Sequence, residues 1–110
     1  MDETRLTELL EDDDVVCDAT QIFDALSDFT RFQILGVLMQ GEKSVSEIQE
    51  VSSVSQPAVS HQLRMLRDRG LVTARRDGQR MFYSLADERV AMLIRLGLEH
   101  AAESLQAPEA

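Results

Sequence analysis

The segment 53–83, SVSQPAVSHQLRMLRDRGLVTARRDGQRMFY, constrains the fold of this chain more than any other stretch. Its first half has apolar residues at helical spacing and a polar face that carries arginines, and Gly70 then ends the pattern. Two runs typical of strands follow, and the linker between them contains Asp77-Gly78, a strong hairpin signal. A helix followed by an arginine-tipped hairpin predicts a winged helix-turn-helix domain that binds duplex DNA.

Charge is distributed unevenly along the chain. The 110 residues contain 11 Lys+Arg and 20 Asp+Glu, which gives a formal net charge of −9. Segment 53–83 holds six arginines and two acids, so it carries +4 and the rest of the chain carries −13. An acidic protein with one basic face suits contact with phosphates along that face only. A solvated charged helix is the alternative, but it does not explain why helix, turn and hairpin signals coincide.

Length and cysteine content exclude several classes of protein. A chain of 110 residues favours one domain with a small core, which commonly gains stability from dimerisation. Cys17 is the only cysteine, so an intramolecular disulfide or thiolate metal cage is excluded. We expect a buried, inert thiol, with a redox or metal role as the alternative. The sequence shows neither a transmembrane run nor a signal peptide, which predicts a cytoplasmic protein without a membrane partner.

Helical patterns account for most of the remaining sequence. We predict helices over 15–26, 29–40, 45–51, 56–69 and 88–104, and strands over 71–74 and 81–85. Asp28 and Asp87 are candidate N-caps, and Ser44 to Glu47 fits a capping box. Residues 1–14 form an acidic tail or a short helix, 15–104 form the domain, and 105–110 form a C-terminal tail.

The last predicted helix is apolar on more than one face. Its apolar residues are Val90, Ala91, Met92, Leu93, Ile94, Leu96, Leu98 and Ala101. A helix of this kind needs one partner inside the domain and another outside it. The simplest external partner is the same helix of a second subunit, which predicts a homodimer.

Five short motifs occur in order along residues 15–103. They are Ala25-Leu-Ser-Asp28 with Thr30-Arg31, Ile34-Leu35, SQPAVSHQL at 55–63, Gly70-Leu-Val72 and Tyr83-Ser-Leu85. Together they resemble the ArsR/SmtB family of bacterial and archaeal repressors. The resemblance implies a mainly α fold with a small β-hairpin wing, and a homodimer paired through its first and last helices. It also implies repression of an operon, with release of DNA when an effector, usually a metal ion, binds.

The polar helix face and the wing supply the residues predicted to contact a pseudo-palindromic operator. They are Ser55, Gln56, Ser60, His61, Arg64, Arg67, Arg75, Arg76 and Arg80. Gln and Arg side chains can pair bidentately with adenine and guanine edges in the major groove. The wing arginines are expected to hold the backbone or to enter the adjacent minor groove. Alternatively, His61 hydrogen-bonds a neighbouring turn.

The resemblance implies two positions for a metal effector. At the first, family members have a Cys-x-Cys-like motif where this chain has Ser44 and Ser46, so a thiolate site is not expected. At the second, on the last helix, three ligand positions match, with Asp87, His100 and Glu103.

The fourth position of the second site is Arg89, whose guanidinium has no lone pair to donate. Two alternatives stay open. Either the site is degenerate and Arg89 pairs with Glu103 or Asp87 across the dimer, or the three matching residues bind zinc or a similar ion. In the second case water or Glu99 completes the shell. His100 can also be a surface residue that the helix dipole stabilises.

Two other functional classes are disfavoured by the residues. A winged-helix protein-interaction module would present a neutral or acidic face with apolar anchors, whereas this face carries arginines. An enzyme is not predicted, because the sequence has no nucleophile arrangement at a supporting spacing and no glycine-rich phosphate loop.

Overall fold

The computed structural model describes residues 1–106. In chain order its elements are α1 (Glu3–Leu10), α2 (Asp13–Leu26), α3 (Phe29–Leu38), β1 (Lys43–Ser44), α4 (Val45–Glu50), α5 (Gln56–Asp68), β2 (Val72–Asp77), β3 (Arg80–Leu85) and α6 (Glu88–Gln106). The strands form an antiparallel sheet with the order β1-β3-β2. The predicted architecture, mainly helical with a β-hairpin wing, is confirmed. Among residues 1–106, every helix is too short or too polar to pass through a lipid bilayer.

The predicted helix starts are confirmed by their capping contacts. Asp28 Oδ2 accepts a hydrogen bond from Arg31 N–H at 3.0 Å, and Asp87 Oδ1 accepts one from Val90 N–H at 3.1 Å. At α4 the predicted capping box is complete, because the hydroxyl of the N-cap serine and the glutamate three residues later bond each other's backbone N–H. These side chains satisfy amides that have no partner inside the helix.

Both ends of the chain are more helical than the sequence analysis required. Of the two alternatives for residues 1–14, the structure has the short helix, because Asp2 caps α1 and Asp12 caps the start of α2. At the other end, α6 continues to Gln106, so residues 105–106 are helical and not part of a tail. The remainder of the predicted tail, residues 107–110, lies outside the described residues.

The wing has longer strands and a tighter turn than predicted. Strands β2 and β3 pair continuously from Val72↔Leu85 to Asp77↔Arg80, so the predicted six-residue linker is mostly strand. A two-residue turn remains, in which Gly78 has a φ of +63°. A glycine at the first central position is what a type II′ hairpin turn needs. The short strand β1, which pairs with β3, was not predicted, since two residues show no alternation.

The core lies between α3, α4, α5, the sheet and the first half of α6. Its buried apolar residues are Ala25, Ile34, Leu35, Leu38, Ile48, Val59, Leu63, Leu66, Leu71, Val72, Tyr83, Val90 and Ile94. Helix α2 contributes only Ala25 to this set, and α1 contributes no buried residue. The core therefore fixes α5 and the wing against each other, while most of α2 and the second half of α6 lie on its outside.

Candidate nucleic-acid interface

Helix α5 has one fully buried face and one exposed polar face. Ser55 caps its first turn by accepting a hydrogen bond from Ala58 N–H, and Pro57 lies in that turn, where its missing N–H costs little. The buried stripe consists of Val59, Leu63 and Leu66, which are all 0% exposed. On the opposite side Gln56, His61, Arg64 and Arg67 are exposed, and Ser60 is half-buried. Donors, acceptors and positive charge therefore face away from the core, as a recognition helix requires.

The predicted contact residues of α5 do not form one cluster. Arg67 lies in the last turn, eleven residues after Gln56, which corresponds to about 16 Å along the helix axis. Residues near the N-terminal end of a recognition helix are the ones that usually reach base edges. Gln56 and Ser60 therefore share the N-terminal region of α5, and Arg67 is far from both.

Arg75 of β2 is held by contacts within the chain. Its Nε and Nη2 donate to the Glu42 carboxylate at 3.1 and 2.7 Å, which makes a bidentate pair. Its guanidinium also lies 4.9 Å from the centroid of the Phe82 ring. In the free protein the charge of Arg75 is therefore already balanced by a carboxylate, a contact that sequence reasoning missed.

The ion pair of Glu42 and Arg75 shifts the pKa of both groups. The hydrogen bonds from Arg75 lower the pKa of Glu42, with a smaller contribution from the Ser84 hydroxyl, and the Glu42 carboxylate raises the pKa of Arg75. Both groups are therefore charged at neutral pH. The two side chains are 36% and 55% exposed, so solvent screens the pair and its contribution to stability is small.

Arg80, the first residue of β3, is tied to a different part of the domain. Its guanidinium lies 5.0 Å from the Phe82 ring centroid, and its Nη2 donates to Ser44 Oγ at 3.2 Å. Ser44 is 2% exposed and caps α4, so this contact fixes the wing against that helix. Arg76, on the intervening stretch of β2, is exposed, and its side chain has no hydrogen-bond or ion-pair partner among the described residues.

A cleft of about 280 Å³ lies between the wing and the first turns of α4 and α5. Its polar lining consists of Ser44, Ser46, Gln56, Ser60, Gln79 and Arg80. The cleft brings together three residues that were predicted to contact DNA, since Gln56 and Ser60 come from α5 and Arg80 comes from the wing. Arg64, Arg67, Arg75 and Arg76 do not line it.

Two arginines outside the predicted set hold α5 against α2. Arg31 Nε donates to the Ala25 carbonyl at 2.8 Å, and its Nη1 reaches Gln62 Oε1 on α5 at 3.5 Å. Arg69, just after α5, donates to Gln21 Oε1 on α2. These residues position the recognition helix, and the spacing along the sequence gave no signal for either contact.

The residue Cys17 lies on α2 and its thiol is exposed, so the expectation of a buried, inert thiol is wrong. Gln21 Nε2 donates to Cys17 Sγ at 3.7 Å. The prediction rested on the general tendency of free cysteines to be buried, whereas α2 places little of its surface in the core.

The candidate metal ligands are spread along α6. Asp87 caps the helix, whereas His100 lies about 20 Å further along the axis, with Glu103 one turn beyond it. Within residues 1–106 of one chain, no three His, Cys, Asp or Glu side chains come together to hold a metal ion. Bringing Asp87 close to the other two would require a second copy of α6.

The donor chemistry of that set does not fit a closed zinc site. Three protein donors fall short of the four that structural zinc sites use, and Arg89 offers a fixed positive charge at the remaining position. At the other position, Ser44 and Ser46 stand where thiolates would be needed, and Ser44 Oγ is already bonded to Arg80 and to the backbone of Glu47. Neither group of residues is a ready cation site within one chain.

Comparisons with known proteins agree with this geometry. Residues 28–74, from the cap of α3 into the wing, match the model of the bacterial regulatory protein, arsR family. A probable mercury resistance operon repressor of Streptomyces lividans is 42% identical over 87 residues, which cover 79% of this chain and 70% of the relative. The transcriptional repressor SmtB homolog of a Synechocystis species is 42% identical over 84 residues, and they cover 76% of this chain and 64% of that protein.

The fold is matched by an experimental structure from Mycobacterium bovis. The solution structure of the homodimeric winged helix-turn-helix DNA-binding domain of Mb0332, a possible ArsR-family regulator, superposes with a TM-score of 0.80 and 34% identity. The match covers 87% of this chain and 89% of that domain. The buried stripe of α5, the paired wing and these likenesses show that the chain belongs to the arsR family of bacterial regulatory proteins, which are DNA-binding transcription regulators and not enzymes.

Proposed function

We propose that this regulator is a homodimeric repressor that binds a pseudo-palindromic operator in duplex DNA, in the cytoplasm. Helix α5 enters the major groove and the β2–β3 hairpin lies along the adjacent backbone. The observation that carries the proposal is the two-sided character of α5. Its apolar stripe is 0% exposed, while Gln56, His61 and Arg64 project from the opposite side into solvent.

Each predicted contact residue takes a role that its chemistry allows. Gln56 and Arg64 read base edges, because amide and guanidinium groups make bidentate pairs with adenine and guanine. His61 adds a further polar contact at the edge of the same face. Backbone phosphates are held by Ser55, Ser60, Arg67, Arg75, Arg76 and Arg80.

The dimer is supported by apolar surface that the core does not cover. Six large apolar side chains of α2 and α6 are between 39% and 88% exposed, namely Val15, Phe23, Met92, Leu96, Leu98 and Leu105. Large apolar side chains exposed on two helices support an interaction surface there. The homodimeric M. bovis domain provides the precedent, and a second copy of this chain covers both helices.

The test is DNA binding and assembly measured on the full chain. A duplex enriched from a random pool by the wild-type protein is compared with a scrambled duplex by fluorescence anisotropy over a series of salt concentrations. Sedimentation measures the mass of the protein with and without DNA. We expect a dimer, a preference for the enriched duplex, and an affinity that falls steeply with salt. A monomer, or equal salt-insensitive affinity for both duplexes, contradicts the proposal.

For the effector, we propose that Asp87, His100 and Glu103 do not form a metal site, because Arg89 pairs with Asp87 or Glu103 across the dimer. The support is the guanidinium at the place of a fourth ligand. The S. lividans relative is named for mercury resistance, and so a metal effector, with zinc held by the same three residues, is the alternative.

Zinc titration into the complex of dimer and enriched duplex separates the two cases. We expect no release of DNA at zinc concentrations that leave the protein folded. Release that His100→Ala abolishes would establish the metal-responsive alternative. Arg89→His is the matching gain-of-function variant, since it supplies the missing lone pair and is expected to create zinc-dependent release.

A further inference from the structure

We propose that the cleft between the wing and the first turns of α4 and α5 binds one phosphate group, held by Arg80, Ser46 and Ser60. The group is a phosphodiester of the DNA backbone in the complex and an inorganic phosphate ion in the free protein. The site itself follows from the donors that line the cleft, and only its occupation by DNA rests on the proposed function.

The hydrogen bonds around Ser44 determine where the donors point. Ser44 Oγ accepts from Glu47 N–H at 3.2 Å and from Arg80 Nη2 at 3.2 Å, which uses both of its lone pairs. Its own proton must therefore be donated to Ser46 Oγ, which lies 3.2 Å away. The Ser46 hydroxyl proton is then free to be donated into the cleft.

The remaining polar groups of the cleft add donors. Arg80 donates one N–H to Ser44, and its other guanidinium N–H groups remain available as donors. Within residues 1–106 the side chains of Gln56 and Ser60 have no hydrogen-bond partner, and both line the cleft. A surface that offers a guanidinium, two hydroxyls and an amide, all able to donate, fits a ligand made of acceptor oxygens.

Charge and size also favour a small anion. Among residues 1–106, those that line the cleft include no acid, and Arg80 is the only charged one. The neighbouring carboxylate of Glu47 accepts from the Ser44 backbone N–H at 3.0 Å, which keeps it in the capping box. A volume of about 280 Å³ leaves room for a phosphate group.

The position of Arg80 is set before any ligand arrives. Its guanidinium is stacked 5.0 Å from the Phe82 ring centroid and bonded to a buried serine, so little side-chain freedom is lost on binding. Arg76 is the natural contrast, because it carries the same charge on the same hairpin but does not line the cleft.

The first arm of the test uses the free protein and inorganic phosphate. Backbone and arginine side-chain NMR signals are followed as sodium phosphate is added, with sodium chloride at matched ionic strength as the reference. We expect saturable shifts at Ser46, Ser60 and Arg80 with phosphate only. Arg80→Gln and Ser46→Ala should each weaken this binding, by about tenfold or more and by about two- to tenfold respectively. Arg76→Gln should leave it unchanged.

The second arm uses DNA. Arg80→Gln should lower the affinity for any duplex by more than Arg76→Gln does, and phosphate should compete with DNA more strongly than chloride at the same ionic strength. If phosphate binding is saturable but Arg80→Gln weakens DNA binding no more than Arg76→Gln does, the site exists and its occupant is free phosphate. If Arg80→Gln weakens DNA binding more but free phosphate does not bind, the occupant is the phosphate of the DNA backbone. The proposal is overturned if phosphate and chloride act alike on the free protein and both arginine variants affect DNA equally. A wild-type protein that fails to bind any duplex contradicts the proposed function but leaves the first arm to decide the site.

Discussion

The recognition helix and the wing carry the same kind of charge in two different ways. On α5, the side chains of Arg64 and Arg67 are exposed and have no hydrogen-bond or ion-pair partner among residues 1–106. On the wing, Arg75 is paired with Glu42 and Arg80 is bonded to Ser44, and both guanidinium groups stack on one phenylalanine ring. The helix therefore offers cations without partners, whereas most of the wing offers cations that are already placed.

Free arginines and arginines that already have a partner lose different things when they bind DNA. A free arginine on α5 loses rotamer freedom when it meets DNA, but it breaks no existing contact. To contact a phosphate, Arg75 must give up its bidentate contact with the Glu42 carboxylate. Its net contribution to affinity is therefore the difference in free energy between two similar interactions, and we expect it to be small. Arg80 keeps its contact with Ser44 and has further N–H groups to donate. We therefore expect the helix to discriminate between sequences and the wing to place the protein on the backbone.

Loss of Arg64 is the variant expected to have the largest effect. Arg64→Ala removes a predicted base contact worth about 1–3 kcal/mol, so affinity for the enriched duplex should fall roughly 5- to 150-fold. The loss on scrambled DNA should be smaller, because only the charge is missing there. Anisotropy titrations of both duplexes measure the two losses, and Arg5→Ala on α1 is the control that removes one positive charge elsewhere. Equal losses on both duplexes would remove Arg64 from the base-reading face.

Arg76 allows the same test on the wing. Arg76→Ala should lower affinity by a similar factor on every duplex, because a phosphate contact carries no sequence information. The slope of log affinity against log salt should become shallower by about 0.9, the value for one phosphate contact on duplex DNA. An unchanged slope would mean that Arg76 does not touch the backbone, and the wing would then contribute through its placed arginines alone.

The fold was largely predictable because its signals are local. The caps at Asp28, Ser44 and Asp87, and the buried stripe of α5, depend on residues within about two turns of each other, and the structure has all of them. The burial of α2, by contrast, depends on how much of the helix the rest of the domain covers, and local signals do not show this. Its apolar spacing was compatible with a core position, but the domain is too small to cover that helix, which left Cys17 exposed.

The positions of the wing arginines were predictable from the sequence, but the partners that hold them were not. The sequence indicated which arginines lie on the wing, because strand and turn signals surround them. It gave no sign that Arg75 meets Glu42 or that Arg80 meets Ser44, since these partners are 33 and 36 positions away along the chain. Both contacts depend on β1 pairing with β3, and a two-residue strand has no readable pattern.

A substitution at Glu42 should leave Arg75 without a carboxylate partner, as the arginines of α5 already are. Glu42→Gln removes the carboxylate that balances Arg75, so Arg75 becomes a free cation and affinity for any duplex should rise a few-fold. The salt slope should steepen by up to about 0.9, because one more phosphate can be neutralised. Glu8→Gln on α1 removes the same charge far from the wing and is the matched control for the change in net charge. If both variants gain equally, the effect is general electrostatics and the pair does not restrain Arg75.

The pH dependence of stability is the smallest expected effect and concerns the same pair. Since Arg75 lowers the pKa of Glu42 from its ordinary value of 4.5, the pair stabilises the fold at pH above the unfolded-state pKa. That contribution is lost as the pH falls through the lowered folded-state value. A double-mutant cycle of Glu42→Gln and Arg75→Gln, read as melting temperature in low-salt buffer, isolates the coupling from the other acids. We expect a small stabilising coupling at neutral pH that vanishes in acid, and a coupling that is unchanged in acid would exclude ionised Glu42 as the partner of Arg75.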